Sequence, residues 1–378
     1  MPAGTFTVMS SWSTAAGWGA ERANPETTIM AEQPNTGGER IQAKDLRCKE
    51  RQPLQDLIPL PAPFVVYIDP TNKCNFRCEF CPTADKALLR KVGRPAATMG
   101  LDLFRKVVED LKQLPQKLKL VSLYKDGEPL MNRHFPEMIR ILKDADVTER
   151  IWTKTNGSAL CPELNQKLID AGLDMICISV EAVSAEGYMR VARAKIDYEK
   201  FRANVADLYQ RRGKCEIYIK IADSGFSKEE IDKFYADFQP MSTKIAVEKL
   251  MGWSFSDIKD FTLGTKPDTY DGLPLIPKKV CAYPFYVLAV NADGSVSLCG
   301  NDWAHGTVIG NVKEKSLLEM WHGEALYQFR KTMLEGRRKE IPVCANCYYL
   351  QIVPDNIDSY GEGILDRLTA VREEKNNP

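Results

Sequence analysis

Seven of the eleven cysteines in this 378-residue chain fall into two spaced sets. The first is Cys74-Asn75-Phe76-Arg77-Cys78-Glu79-Phe80-Cys81, a CxxxCxxC. Thiolates this close can wrap one metal centre. Iron–sulfur clusters are held by cysteine thiolates, usually four, so a set of three leaves one iron open to a further ligand. Structural zinc takes four ligands, and neither Cys48 nor any histidine lies within the motif to complete a zinc site. In the second set, twelve residues separate Cys281 from Gly294 and four separate Gly294 from Cys299. Cys344-Ala345-Asn346-Cys347 follows after a gap of forty-four. Two separated cysteine pairs suit either a fully ligated iron–sulfur cluster or a zinc ribbon. The remaining Cys48, Cys161, Cys177 and Cys215 read as small hydrophobes, the usual role of a free buried cysteine.

Elements must bring these residues together. Six short apolar runs read as strands: 64–68, 118–124, 150–155, 174–180, 215–221 and 245–248. Helical spacing lies between them over 101–114, 136–143, 163–171, 197–210 and 227–237. Strand–helix alternation predicts parallel βα units wound in one hand, closing as a doubly wound sheet or a full or partial βα barrel. Both put their chemistry at the carboxyl ends of the strands. The CxxxCxxC follows the first strand. Asp126-Gly127-Glu128-Pro129 follows the second, Thr155-Asn156-Gly157 ends the third, and Ser179 and Glu181 end the fourth. Cys177 shares strand parity with Ser179 and Glu181 and should face the same way. The pattern breaks over 251–278, read as a linker. A hairpin turning at Asp293-Gly294 and a helix over 316–333 complete a cysteine-rich unit at 279–350. Residues 351–378 read as a tail or helix, and 1–52 as a disordered leader, too polar to offset the cost of ordering.

Composition narrows the function. Lysine plus arginine equals aspartate plus glutamate at 51 each, which argues against a general nucleic-acid binder. No apolar run reaches the length of a membrane span, and the amino terminus lacks a secretory pattern. The chain therefore reads as cytoplasmic, where thiols stay reduced and serve as ligands or catalysts.

The CxxxCxxC, with aromatic Phe80 before its last cysteine, resembles that of the radical S-adenosylmethionine superfamily. The resemblance implies a partial (β/α)6 barrel over 60–250, with Cys74, Cys78 and Cys81 on a 4Fe–4S cluster whose open iron binds S-adenosylmethionine. Reductive cleavage then gives a 5′-deoxyadenosyl radical that abstracts hydrogen from a substrate C–H. Phe80, Gly127, Glu128, Asn156, Ser179 and Glu181 fall where that family binds the cofactor. Asp126 stands where the family keeps the first glycine of Gly-Gly-Glu. Arg190 or Arg193 could pair with the methionine carboxylate. The second set, with Gly310-Asn311-Val312 and Met320-Trp321-His322-Gly323 near it, resembles the auxiliary-cluster modules called SPASM and twitch. It implies a second 4Fe–4S cluster on Cys281, Cys299, Cys344 and Cys347. Members with one such cluster include dehydrogenases and epimerases of sugars and aminocyclitols, and larger ones modify peptides. The resemblance implies a polyol or amino-sugar substrate and an electron donor such as flavodoxin or ferredoxin. A dehydrogenase needs a base, with Glu248, Lys249 and Lys220 as candidates. An epimerase needs a hydrogen donor, and Cys177 is the candidate.

Overall fold

The computed structural model describes residues 37–41, 52–250, 252–255, 258–264 and 277–376. Their strands form a single ten-stranded sheet in the order β1-β7-β6-β5-β4-β3-β2-β8-β9-β10. The six expected strands are β2 (Val65–Ile68), β3 (Leu120–Ser122), β4 (Ile151–Thr155), β5 (Met175–Val180), β6 (Glu216–Asp223) and β7 (Lys244–Lys249). All pair in parallel with helices between them. The sheet stays open, so the barrel is partial.

Local sequence explains the layering. β5 is apolar on both faces because helices cover one side and the barrel interior the other. In β4, Ile151, Thr153 and Thr155 are buried while Trp152 and Lys154 are half-buried, so alternate side chains serve different faces. Trp152 packs with Cys177, Met175, Tyr218 and Ala246 inside the concave face.

Two expectations about the periphery are corrected, and the alternative of tail or helix over 351–378 is resolved as a helix. The leader is not wholly outside the fold: β1 (Glu39–Arg40) pairs in parallel with β7, and Ile41 is buried in the barrel interior. An edge strand exposes unpaired backbone groups, and even two residues can cover some of them. Residues 1–36 and 42–51, Cys48 included, lie outside the described residues. The described parts of 251–278 are packed instead of spanning as a free linker. Trp253 Nε1 donates to Phe80 O at 3.0 Å and Trp303 Nε1 to Ser254 O at 2.8 Å, while Phe261 is buried with Leu88, Leu89 and Trp303. The segment 351–378 holds a helix, Gly361–Asn376, whose Ile364 and Leu368 are buried with Leu54, Ile58, Phe285 and Met333.

The hairpin also departs from a separate unit. β8 (Val287–Val290) runs parallel to β2, Val65 opposite Val287 through Ile68 opposite Val290. β9 (Ser295–Ser297) and β10 (Gly310–Asn311) extend it antiparallel. The carboxy-terminal unit thus covers the other barrel edge.

Candidate active site and cysteine-lined cavities

A cavity of about 290 Å³ opens at the carboxyl ends of the barrel strands. Cys74, Cys78 and Cys81 line it together with Phe80, Gly127, Glu128, Asn156, Ser179 and Glu181. Lys220, Glu248 and Lys249 also line it. The order of polar residues after successive strands thus converges as read from sequence.

The loops are held tightly. A Cβ on Gly127 would lie 2.1 Å from Thr71 O and 2.4 Å from Lys73 O, so only glycine lets the loop after β3 pass under the cysteine loop. Glu128 N donates to Lys73 O at 2.9 Å. Its Oε1 accepts from Thr155 Oγ1 at 2.5 Å and Leu130 N at 3.0 Å, and its Oε2 accepts from Asn156 N at 2.7 Å. Each carboxylate oxygen can accept two bonds, so Oε2 keeps capacity towards the cavity. Burial lifts Glu128 to about 7 despite these donors. Asn156 Nδ2 reaches Asn75 Oδ1 at 2.9 Å, tying β4 to the cysteine loop. Burial likewise lifts Glu181 to about 7.

Other expected residues stand elsewhere. Arg190 pairs with Glu230 at 2.8 Å and Arg193 with Glu79 at 3.2 Å, and each arginine side chain is 62% exposed. Neither lines the cavity, because the helix Ala185–Val191 carries the chain away from the strand ends. Cys177 has the expected parity, but it is fully buried with Tyr218 and Trp152 and does not line the cavity. Burial pushes its thiol up to about 12. Glu248 is bound by Tyr218 Oη and Lys220 Nζ, both at 2.6 Å. Burial opposes its ionisation, yet Lys220 and Lys154 hold it down to about 2. So low a value makes it a poor proton acceptor near neutrality.

Sequence reading missed three features. Tyr67, Tyr124, Trp253, Tyr283 and Tyr349 supply aromatic walls. Lys154 enters the cavity from β4. Asp126 is a buried junction: Lys125 Nζ lies at 2.7 Å, His305 Nε2 at 2.9 Å and Arg94 Nη1 at 3.8 Å. Burial opposes its charge, but Lys125, His305 and Arg94 hold its carboxyl low. Lys125 also donates to Asp302 O at 2.9 Å and Arg94 to Trp303 O at 3.1 Å. The residue in place of a glycine thus joins barrel to carboxy-terminal unit. The one local signal was a Lys-Asp pair where a strand ends.

Cys281, Cys299, Cys344 and Cys347 line a second cavity with Phe329 and Met333. Burial pushes Cys281 up to about 12 and raises the other three thiols. It likewise pushes Cys74 up to about 12 and raises Cys78 and Cys81. Buried thiolates need a positive counter-charge, which a bound metal centre supplies. Backbone N–H groups already point at sulfur in each set: Phe76 N to Cys74 Sγ at 3.4 Å and Asn301 N to Cys299 Sγ at 3.2 Å. Among the described residues no three His, Cys, Asp or Glu side chains close on the position of a single ion; the thiols instead line cavity walls. Both donor sets fit iron–sulfur clusters, whose potentials respond to such hydrogen bonds.

Residues 68–237 match the radical SAM superfamily, and residues 281–348 match SPASM, an iron–sulfur cluster-binding domain. The chain carries a radical SAM domain followed by a carboxy-terminal SPASM domain. The first domain implies a 4Fe–4S cluster and S-adenosylmethionine, and the second an auxiliary cluster.

Among relatives, the S-adenosyl-L-methionine-dependent 2-deoxy-scyllo-inosamine dehydrogenase of Niallia circulans is 22% identical, over 75% of this chain and 92% of that protein. The GTP 3′,8-cyclase of Staphylococcus haemolyticus is 24% identical over 56% of this chain and 63% of the cyclase, less than two thirds of its length. The crystal structure of BtrN in complex with AdoMet and 2-DOIA aligns with a TM-score of 0.50 at 20% identity, covering 75% of this chain and 92% of that one. Streptococcus suis SuiB bound to S-adenosylmethionine aligns at 0.55 and 14% identity, covering 80% and 75%. At these identities the structural likeness is one of fold.

Proposed function

We propose that the chain is a radical SAM dehydrogenase that oxidises a carbinol carbon of a small polyol or amino sugar to a ketone. The observation that carries this reading is the pair of cysteine-lined cavities on one continuous sheet, three thiols beside the larger cavity and four in the other. When bound, the first cluster and S-adenosylmethionine supply a carbon radical for hydrogen abstraction, and the auxiliary cluster supplies an electron sink. Cys74, Cys78 and Cys81 would hold the first cluster, and Cys281, Cys299, Cys344 and Cys347 the second. Glu128 Oε2 has room to accept the cofactor's amino group, and Ser179 and Glu181 suit its ribose. A flavodoxin or ferredoxin would reduce the first cluster. The 2-deoxy-scyllo-inosamine dehydrogenase, matched over 92% of its length, supports the small-molecule substrate.

Epimerisation would need a hydrogen donor in the cavity. Cys177, fully buried and outside the lining, is poorly sited for that, which favours oxidation. The test is anaerobic turnover of carbon-deuterated 2-deoxy-scyllo-inosamine and a panel of aminocyclitols and sugars. Deuterium in 5′-deoxyadenosine together with a ketone product is expected, and Cys177→Ala should still make ketone. An epimer carrying one solvent deuterium on carbon would overturn the reading.

A further inference from the structure

Lys154 differs from the other lysines of the cavity. Lys125 is held by Asp126 at 2.7 Å and by Asp302 O at 2.9 Å. Lys220 is held by Glu248 at 2.6 Å, and Lys249 also has an interaction. Lys154 has no hydrogen bond or ion pair among the described residues; its Nζ lies 5.4 Å from the centroid of the Tyr124 ring. The groups facing it are Tyr124 beyond β3, Cys177 opposite it on β5, Lys220 on β6 and Glu248 on β7.

The cavity's carboxylates are less suited to take a proton. Asp126 and Glu248 are spent in ion pairs. On the dehydrogenase reading, Glu128, which already accepts from Thr155, Asn156 and Leu130, is taken up by the cofactor's amino group and Glu181 by its ribose.

The wall beside Lys154 leads towards the second set. Tyr124 meets Tyr67 edge-on at 5.9 Å between ring centroids. The Tyr67 ring presses on Gly300, where a Cβ would lie 2.8 Å from it, and Gly300 follows Cys299 in the chain. An amine with no hydrogen bond or ion pair among the described residues thus stands at one end of an aromatic wall that ends beside a cluster-ligand candidate.

We propose that Lys154 is the catalytic base of the oxidation, taking the substrate hydroxyl proton at the wall formed by Tyr124 and Tyr67. The proposal rests on the dehydrogenase reading. The carbinol C–H gives its hydrogen atom to the carbon radical, and the hydroxyl proton goes to the Nζ lone pair. One electron passes to an iron–sulfur acceptor at the second cysteine set as C–O becomes C=O. A hydroxyl on a radical carbon is more acidic than an ordinary alcohol, so an amine suffices. Burial and Lys220 lower the pKa of Lys154, against the opposing influence of Cys177 and Glu248. The lowering favours the neutral amine that can accept a proton.

Two measurements test this. Competitive acetylation of the full chain, read at Lys154 by peptide mass spectrometry, should titrate below the ordinary lysine value of about 10.4. It needs neither substrate nor variant. With 2-deoxy-scyllo-inosamine as the probe, Lys154→Ala and Lys154→Arg should each lose on the order of 10²–10⁴-fold in ketone formation. Added ethylamine should restore part of the Lys154→Ala rate in proportion to its free-base form, a rescue that lost packing would not give. A labelling midpoint at or above the ordinary value overturns the proposal. So does full ketone formation by Lys154→Arg, which would make the side chain an anion-binding group. Absence of ketone from the unmodified enzyme with every panel compound would count against the dehydrogenase reading and is distinguished from both by the labelling.

Discussion

Asp69 and Asp126 show how single residues set the balance between folding and site chemistry. Both Asp69 carboxylate oxygens are buried without a hydrogen-bond partner. Burial, then the charge of Asp126, raises the Asp69 pKa. A group whose folded pKa is raised binds more protons in the folded state. Its stabilising protonation is complete below the unfolded value of about 3.9 and is lost as pH rises through the folded pKa. Asp69→Asn should therefore flatten the decline in thermal stability between acid and neutral pH, with the gain appearing at the alkaline end. An unchanged pH profile would mean that Asp69 ionises as easily folded as unfolded. Gly127 sets a steric condition. Gly127→Ala puts a methyl within 2.1 Å of Thr71 O, and the cysteine loop must shift to admit it. Iron bound at the first set should fall several-fold in Gly127→Ala while the second set keeps its iron, read by iron analysis and electron paramagnetic resonance. At this scale the sequence was legible where chemistry is local to a motif, as in the cysteines and the residues closing each strand. It was not legible where direction matters: nothing in the order of residues says that Arg190 turns outward to Glu230 or that Lys154 turns inward. Cys177 shows the intermediate case, since parity gave its face but not its depth.

Elements were legible in proportion to their length and period. The strands from Val65 to Lys249 carry apolar runs, and each is followed by a helical pattern before the next. β1 has two residues and no period, so composition assigned it to the leader. Its docking nevertheless has steric requirements. A Cβ on Gly38 would lie 2.1 Å from Ser242 Oγ and 2.6 Å from Ser242 O. Gly38 N donates to Gln239 O at 2.6 Å, and Ile41 N to Ile245 O at 2.9 Å. Gly38→Val should displace β1 and uncover the β7 edge. Ile41→Ala, at a side chain 8% exposed, should cost about 2 kcal/mol. Both are measured by denaturant unfolding of the full chain. A leader without a structural role would leave both variants at wild-type stability.

At the scale of the whole molecule, the parallel pairing of β8 with β2 had no local signal, because register between strands more than two hundred residues apart is invisible to periodicity. That pairing decides how the two domains depend on one another. Removing 277–378 would free the β2 edge and take away the Asp302 and Trp303 carbonyls that receive Lys125 and Arg94. It would also remove His305 from Asp126. Buried charges that lose partners are strongly destabilising, so a chain ending before residue 277 should be poorly soluble and hold little iron even at Cys74, Cys78 and Cys81. Point substitutions that preserve the fold should separate the two centres. Anaerobically reconstituted full-length protein should carry about eight iron per chain, four for each cluster. Replacing Cys281, Cys299, Cys344 and Cys347 with alanine should remove about half. The remaining cluster should still support cleavage of S-adenosylmethionine to 5′-deoxyadenosine, while ketone formation stops for want of the acceptor. Stoichiometric zinc in place of the lost half would defeat the auxiliary-cluster assignment. Ketone formed at the wild-type rate by the four-alanine protein would send the electron elsewhere and break the link between the second cavity and oxidation.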